Sequence, residues 1–262
     1  LDDERVGYWD KISREWAHNH PHCLWRAHSD AVNSRLLIRW LPSEKVDRLL
    51  KTDLFDELVS EGIYPLLARR AKHVFCIDAS LFALRMVSGW PAGPRRIGAD
   101  VRSLPFIDSA FNVVVSNSTL DHFHSLDEIV SSLRELHRVL RSSGHLILTL
   151  DNLANPLIFL RNLLPFSLLN KLGIVPYYVG ISLRPKQLKN LLEKTGFEVI
   201  EIDATLHCLR VLAVSASDWI EKRFGPEGQG RFLRLLLAFE SLSHWPTRFV
   251  TGNFTAVKAI KK

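Results

Sequence analysis

The sequence predicts an α/β fold: a doubly wound, mostly parallel sheet with helices on both faces. Three observations carry this. Apolar runs of strand length recur along the chain. Helix-period stretches separate them. Nearly every run ends on a polar residue, as strands do where they open onto a ligand crevice.

Residues 1–45 hold four tryptophans (Trp9, Trp16, Trp25, Trp40) and read as short helices forming an N-terminal cover. Pro42 and Ser43 punctuate the chain. Val46 to Leu50 is the first strand, running into Thr52-Asp53. Leu58, Ile63, Leu66 and Leu67 give Phe55 to Arg70 a helical period. His73 to Ile77 is a second strand ending on Asp78, and Leu81 to Val87 a helix. Arg96 to Ala99 is a third strand ending on Asp100, and Phe111 to Ser116 a fourth. Ile129, Leu133, Leu136 and Leu140 lie on one face of a helix over Leu126 to Arg141, stopped by Ser142-Ser143-Gly144. His145 to Leu150 is the fifth strand, ending on Asp151-Asn152.

Residues 152–183 break the rhythm with an apolar, proline-interrupted insertion, read as a helical hairpin or a lid over the strand ends. Ser182 is the expected cap of a helix over Gln187 to Lys194. Phe197 to Ile202 and Asn253 to Ile260 alternate apolar and polar residues, as half-exposed edge strands with an antiparallel last member would. Helices near 214–223 and 231–243 lie between them. Gly225, Gly228 and Gly230 follow a helical pattern rather than a strand, and are expected to form a surface turn.

Composition narrows the function. Of 262 residues, 47% are hydrophobic, which excludes a disordered chain. The net charge of +6 comes from scattered Lys and Arg, so a small-molecule partner is expected rather than nucleic acid. Contact with a membrane at the apolar insertion is a secondary reading. Three dispersed cysteines and an opening unlike a signal peptide point to a cytoplasmic protein. His18, His20 and His22 alternate but lack further matched ligands, so no metal site is expected.

Four stretches, in order, resemble the class I S-adenosylmethionine-dependent methyltransferases of the small-molecule, type 11-like kind. They are Val74 to Ser80, Ala99 to Phe106 with Asp108 and Phe111, Val114 to Phe123, and Glu135 to Leu146. The resemblance spans 46–150 and resumes at 184–202 and 249–261. It implies a Rossmann-like, seven-stranded sheet, with 46–151 as the cofactor-binding half and 184–262 completing the sheet. It also implies S-adenosyl-L-methionine as cofactor. Asp78 would hold the ribose, Asp100 and Val101 the adenine, and Ser116 and Asn117 the methionyl ammonium. The acceptor would be oxygen or nitrogen of a small molecule, with a saccharide or polar lipid precursor among the candidates.

The chain departs from the family at the first loop. A Gly-x-Gly-x-Gly turn is usual there, and Lys51-Thr52-Asp53-Leu54-Phe55 stands instead. Glycines let backbone approach a cofactor and adopt positive φ. Asp tolerates that conformation better than most residues, so Asp53 is expected to keep the turn and meet the ammonium, with Lys51 or Thr52 at the carboxylate. His122 and Asp121 are the candidate bases. Asn152 and Asn155 would either orient an acceptor or cap the next helix. The missing glycines also leave open a non-catalytic, methyltransferase-like scaffold.

Overall fold

The computed structural model describes residues 3–19, 22–87 and 93–262. Seven strands form one sheet in the order β3-β2-β1-β4-β5-β7-β6. They are β1 (Val46–Lys51), β2 (Ala71–Asp78), β3 (Arg95–Gly98), β4 (Phe111–Asn117), β5 (Leu140–Asp151), β6 (Phe197–Thr205) and β7 (Phe254–Lys261). β1 to β5 pair in parallel, and β7 runs antiparallel between β5 and β6. Strand order reverses between β1 and β4, which places a ligand crevice beyond their carboxyl ends.

Alternation along the strands splits the core into two layers. Leu50, Val114, Leu146 and Leu148 face Ile129, Leu133 and Leu136 of α6 (Leu126–Val139). Leu49, Val113, Val115 and Ile147 face Leu36, Leu37 and Trp40 of α2 (Cys23–Trp40), and Leu66 and Leu67 of α4 (Tyr64–Arg70). The N-terminal cover is therefore two long helices, α1 (Asp3–Asn19) and α2, rather than several short ones. His20 lies outside the described residues.

Two of the stretches that carry the family resemblance bind each other. Arg138 of α6 donates to Glu135, Asp108 and the Phe106 and Leu104 carbonyls, while Glu135 accepts the Leu104 amide at 2.8 Å. The Glu-x-x-Arg spacing puts both groups on one helix face, where they fasten the loop after β3. Ser125 and Glu128 cap α6 reciprocally.

Several boundaries differ from the sequence expectation. The helix over 55–70 is broken into α3 (Phe55–Val59) and α4. Buried Glu57 folds back to accept the Ile63 and Tyr64 amides at 3.2 and 3.1 Å, and Gly62 turns the chain at φ 59° to let it. β5 begins at Leu140, not His145, because Ser143 takes φ 60° and the register slips opposite Phe111 to Val113. After α5 (Leu81–Met86), the insertion folds as α7 (Pro156–Asn162) and α8 (Phe166–Lys171). Ser182 caps nothing: α9 (Pro185–Lys194) starts after Arg184, whose amide is met by Gln187. Gly225 precedes the first turn of α11 (Pro226–Ala238), so the glycine cluster starts a helix instead of forming a surface turn. α10 (Arg210–Arg223) and α12 (Arg248–Thr251) complete the helices.

Candidate active site

A cavity of about 630 Å³ opens beyond the carboxyl ends of β1, β2 and β4. The sheet side supplies polar groups: Thr52, Asp53, Asp56, Asp78, Asp100 and Asn117. α1, α2 and the insertion supply aromatic groups, among them Trp9, Trp25, Tyr177 and Tyr178.

The first loop holds its shape with side chains. No residue from 51 to 55 takes positive φ, so Asp53 does not adopt the expected left-handed turn. Lys51 is fully buried, and its ammonium donates to the Asp53 carbonyl (3.0 Å), the Asp53 carboxylate (2.9 Å) and Glu57 (2.8 Å). It lies behind the cavity wall, so its charge is spent on the loop. Burial alone would lower the Lys51 pKa, but Asp53, Glu57 and Asp56 hold it well above its ordinary value. One ammonium does not offset three carboxylates. Burial therefore pushes Glu57 up to about 7 and also raises Asp53.

The ends of β1 and β4 are stitched by hydroxyls. The Thr52 hydroxyl lies 3.0 Å from that of Ser116 and 2.8 Å from that of Thr119, and Thr119 donates to Asp53 at 3.3 Å. Ser116 is completely buried beneath the cavity. Asn117 donates to Asp56 at 3.3 Å and accepts from Thr149 at 2.8 Å.

Asp78 closes the glycine-free loop from the other side. One carboxylate oxygen accepts the Leu54 amide at 2.8 Å, the other the Ser80 amide at 2.7 Å. Each can accept a further hydrogen bond, and Asp78 lines the cavity. Burial raises its pKa to about 6. Asp100 and Val101 line the next part of the wall. Burial opposes the Asp100 charge, but its hydrogen bonds with Arg102 prevail and lower the pKa.

His122 faces the cavity between Trp9 and Tyr177, with ring centroids 5.0 and 5.5 Å away. Its Nδ1 lies 2.9 Å from the Tyr178 carbonyl. A carbonyl only accepts, so Nδ1 carries a proton, and in the neutral tautomer of that ring the lone pair lies on Nε2. Asp121 is 2% exposed, turned inward and met by Ser118 at 2.7 Å. It is outside the cavity lining. Asn152 and Asn155 are also outside it: Asn152 ties β5 to the Phe249 and Gly252 carbonyls, and Asn155 caps α7.

Two arginines were not legible as site residues. Arg26 of α2 sits over Trp16 and Phe55, 3.5 Å from Asp56, with its buried Nε lacking a partner. Arg210 reaches the cavity from the start of α10, over Phe254. Of the alternating histidines, His18 meets the Arg14 carbonyl and His22 meets Asp218, so neither faces a shared ligand site.

Residues 60–148 match the family model described as "Methyltransferase domain". The fold is that of a class I methyltransferase. The match begins at Ser60, just past the glycine-free loop. No curated protein matches the sequence. An S-adenosylmethionine-dependent methyltransferase of Thermotoga maritima is 14% identical, with a TM-score of 0.63 over 98% of this chain and 99% of that one. The phosphoethanolamine N-methyltransferase 2 of Haemonchus contortus, in complex with S-adenosyl-L-methionine, is 15% identical. Its TM-score is 0.54, over 87% of this chain and 52% of that one. The cyclase SpnF is 19% identical, with a TM-score of 0.54 over 87% of this chain and 79% of that one. At such identities the likeness is one of fold, and the fold carries more than one reaction. The cavity must therefore be read from its own residues.

Proposed function

We propose that the chain binds S-adenosyl-L-methionine in this cavity and transfers its methyl group to oxygen or nitrogen of a small molecule. The observation that carries the reading is the placement of Asp78, whose oxygens each accept one backbone amide, in the cavity wall with Asp53 by the reversal of strand order. The residues suit the cofactor's parts. Asp78 accepts ribose hydroxyls, and Asp100 with Val101 faces the adenine. Asp53 and Asp56 offset the methionyl ammonium, and the partnerless Arg26 Nε suits the methionyl carboxylate. The bound cofactor supplies a methyl group already activated on a sulfonium.

The chain's own work is then alignment, exclusion of water and removal of a proton. Trp9, Tyr177 and Tyr178 wall the acceptor side and keep it dry. His122 accepts the acceptor's proton at Nε2, while the Tyr178 carbonyl steadies Nδ1. A saccharide or a polar lipid precursor suits a wall with both aromatic faces and polar groups. A reducing, cytoplasmic setting suits three dispersed cysteines.

Calorimetry with S-adenosylhomocysteine tests the first step, and methyl transfer from labelled S-adenosylmethionine to an acceptor panel tests the second. The expected result is binding that Asp78→Asn weakens about tenfold or more. Absence of binding at millimolar ligand would refute the enzyme reading and favour a non-catalytic scaffold, the alternative that the glycine-free loop supports.

A further inference from the structure

We propose that the α7–α8 hairpin docks this protein on an anionic lipid surface, with the cavity beside the bilayer. The inference does not depend on methyl transfer. Leu157, Leu160, Leu163, Leu164, Leu168 and Leu172 project from the hairpin into solvent, Leu163 and Leu172 at more than 60% exposure. They do not hold the hairpin in place. Ile158, Leu169 and Val175 are the side chains it buries, and Arg161 ties it to Asp151 at 2.6 Å. An outward cluster of leucines on an already anchored hairpin is the kind of surface that marks an interaction site.

Charge selects the partner. Residues 152–192 contain Arg161, Lys171, Arg184, Lys186 and Lys189 and no Asp or Glu, with Arg161 paired to Asp151 and Lys189 to Glu193 just outside them. Lys171, Arg184 and Lys186 are exposed. Apolar side chains in one segment with these three exposed cations match the acyl boundary and head groups of an anionic leaflet. No described helix is long and apolar enough to cross a membrane, so the contact lies in the interface plane. Phe166, Tyr177 and Tyr178 of the same segment line the cavity. At the start of α10, Arg210 lines it too, while Leu209 and Leu212 beside it are exposed. Apolar surface thus stands next to the cavity wall on two elements.

Flotation with phosphatidylcholine vesicles, with and without phosphatidylglycerol, tests the proposal. The chain should float with the anionic vesicles, about tenfold more than with neutral ones, and less at high salt. Leu160→Asp with Leu163→Asp should lower flotation by about tenfold or more while leaving the melting temperature near that of the parent. Lys171→Glu should reduce the preference for anionic vesicles. The proposal is overturned if the parent chain stays in the lipid-free fraction, or if the leucine variant floats like the parent. It is also overturned if light scattering shows a dimer that the leucine variant breaks, with no vesicle binding. Melting and flotation read this surface even if S-adenosylhomocysteine fails to bind.

Discussion

Replacing Lys51 by Met tests whether one buried ammonium does the work that glycines do in the related loop. The substitution keeps side-chain length and removes three charge-assisted hydrogen bonds, two to Asp53 and one to Glu57. Each is worth about 1.5–3 kcal/mol, but orphaned carboxylates can take up protons, so the terms do not simply add. Removing one partner of a buried pair costs about 3–5 kcal/mol, and that is the loss expected at neutral pH. The sign with pH follows from Glu57. Its folded pKa is about 7, above its ordinary value, so its stabilising contribution is complete below the unfolded pKa and is lost as pH rises toward 7. Without Lys51 the folded pKa rises further, and the variant goes on losing about 1.4 kcal/mol per pH unit after the parent has levelled off. Urea unfolding followed by tryptophan fluorescence at pH 6 and pH 9 reads this directly. The deficit should be larger at pH 9, and Glu57→Gln added to Lys51→Met should recover part of it. A deficit below about 1 kcal/mol, or one equal at both pH values, would refute the argument.

Gly62→Ala should destabilise by about 1–3 kcal/mol, because φ is 59° there and an added Cβ would meet the Glu57 carboxylate at 2.7 Å; thermal melting checks it. Asp78 loses its charge as pH falls through about 6, so affinity for S-adenosylhomocysteine should weaken below that pH in calorimetry, and Asp78→Asn should remove the dependence. His122→Gln should lower methyl transfer by about 10²–10⁴ with cofactor affinity unchanged; an equal loss of both would make the ring a packing residue instead.

Much of the fold was legible because strand periodicity is local. Leu49 and Leu50, or Val113 and Val114, announce two buried faces by position alone. The polar strand ends were legible for the same reason, and Thr52, Asp53, Asp78, Asp100, Val101 and Asn117 all line the cavity. Lys51, Ser116 and Asp121 sit one step behind it, because adjacent residues on a strand or a tight turn point opposite ways. Arg26, Tyr177 and Arg210 were not legible. They arrive from segments far apart in the chain, and no spacing announces a cavity closed by a cover and an insertion. The broken helix over 55–70 failed for a related reason. Its apolar period is real, but a carboxylate seven residues before Tyr64 caps the second half and so requires the break.

The same carboxylate explains why the loop needs no glycine of its own. A glycine turn brings backbone close to a ligand by letting φ go positive. Here the positive φ has moved to Gly62, beyond α3, and the loop is held by Lys51 from below and Asp78 from the side. Leu54, which would crowd a glycine-type turn, is fully buried instead, and its amide is the group that Asp78 holds. The two anchors differ in kind. Lys51 is committed within the protein, whereas Asp78 has capacity left over for a ligand. A ribose bound at Asp78 would then act on the Leu54 amide through the same carboxylate. Cofactor binding should therefore tighten the loop between β1 and α3, and slower amide exchange at Leu54 and Phe55 on adding S-adenosylhomocysteine is the expected signature. Unchanged exchange there in a chain that binds the ligand would mean that Asp78 holds the loop alone.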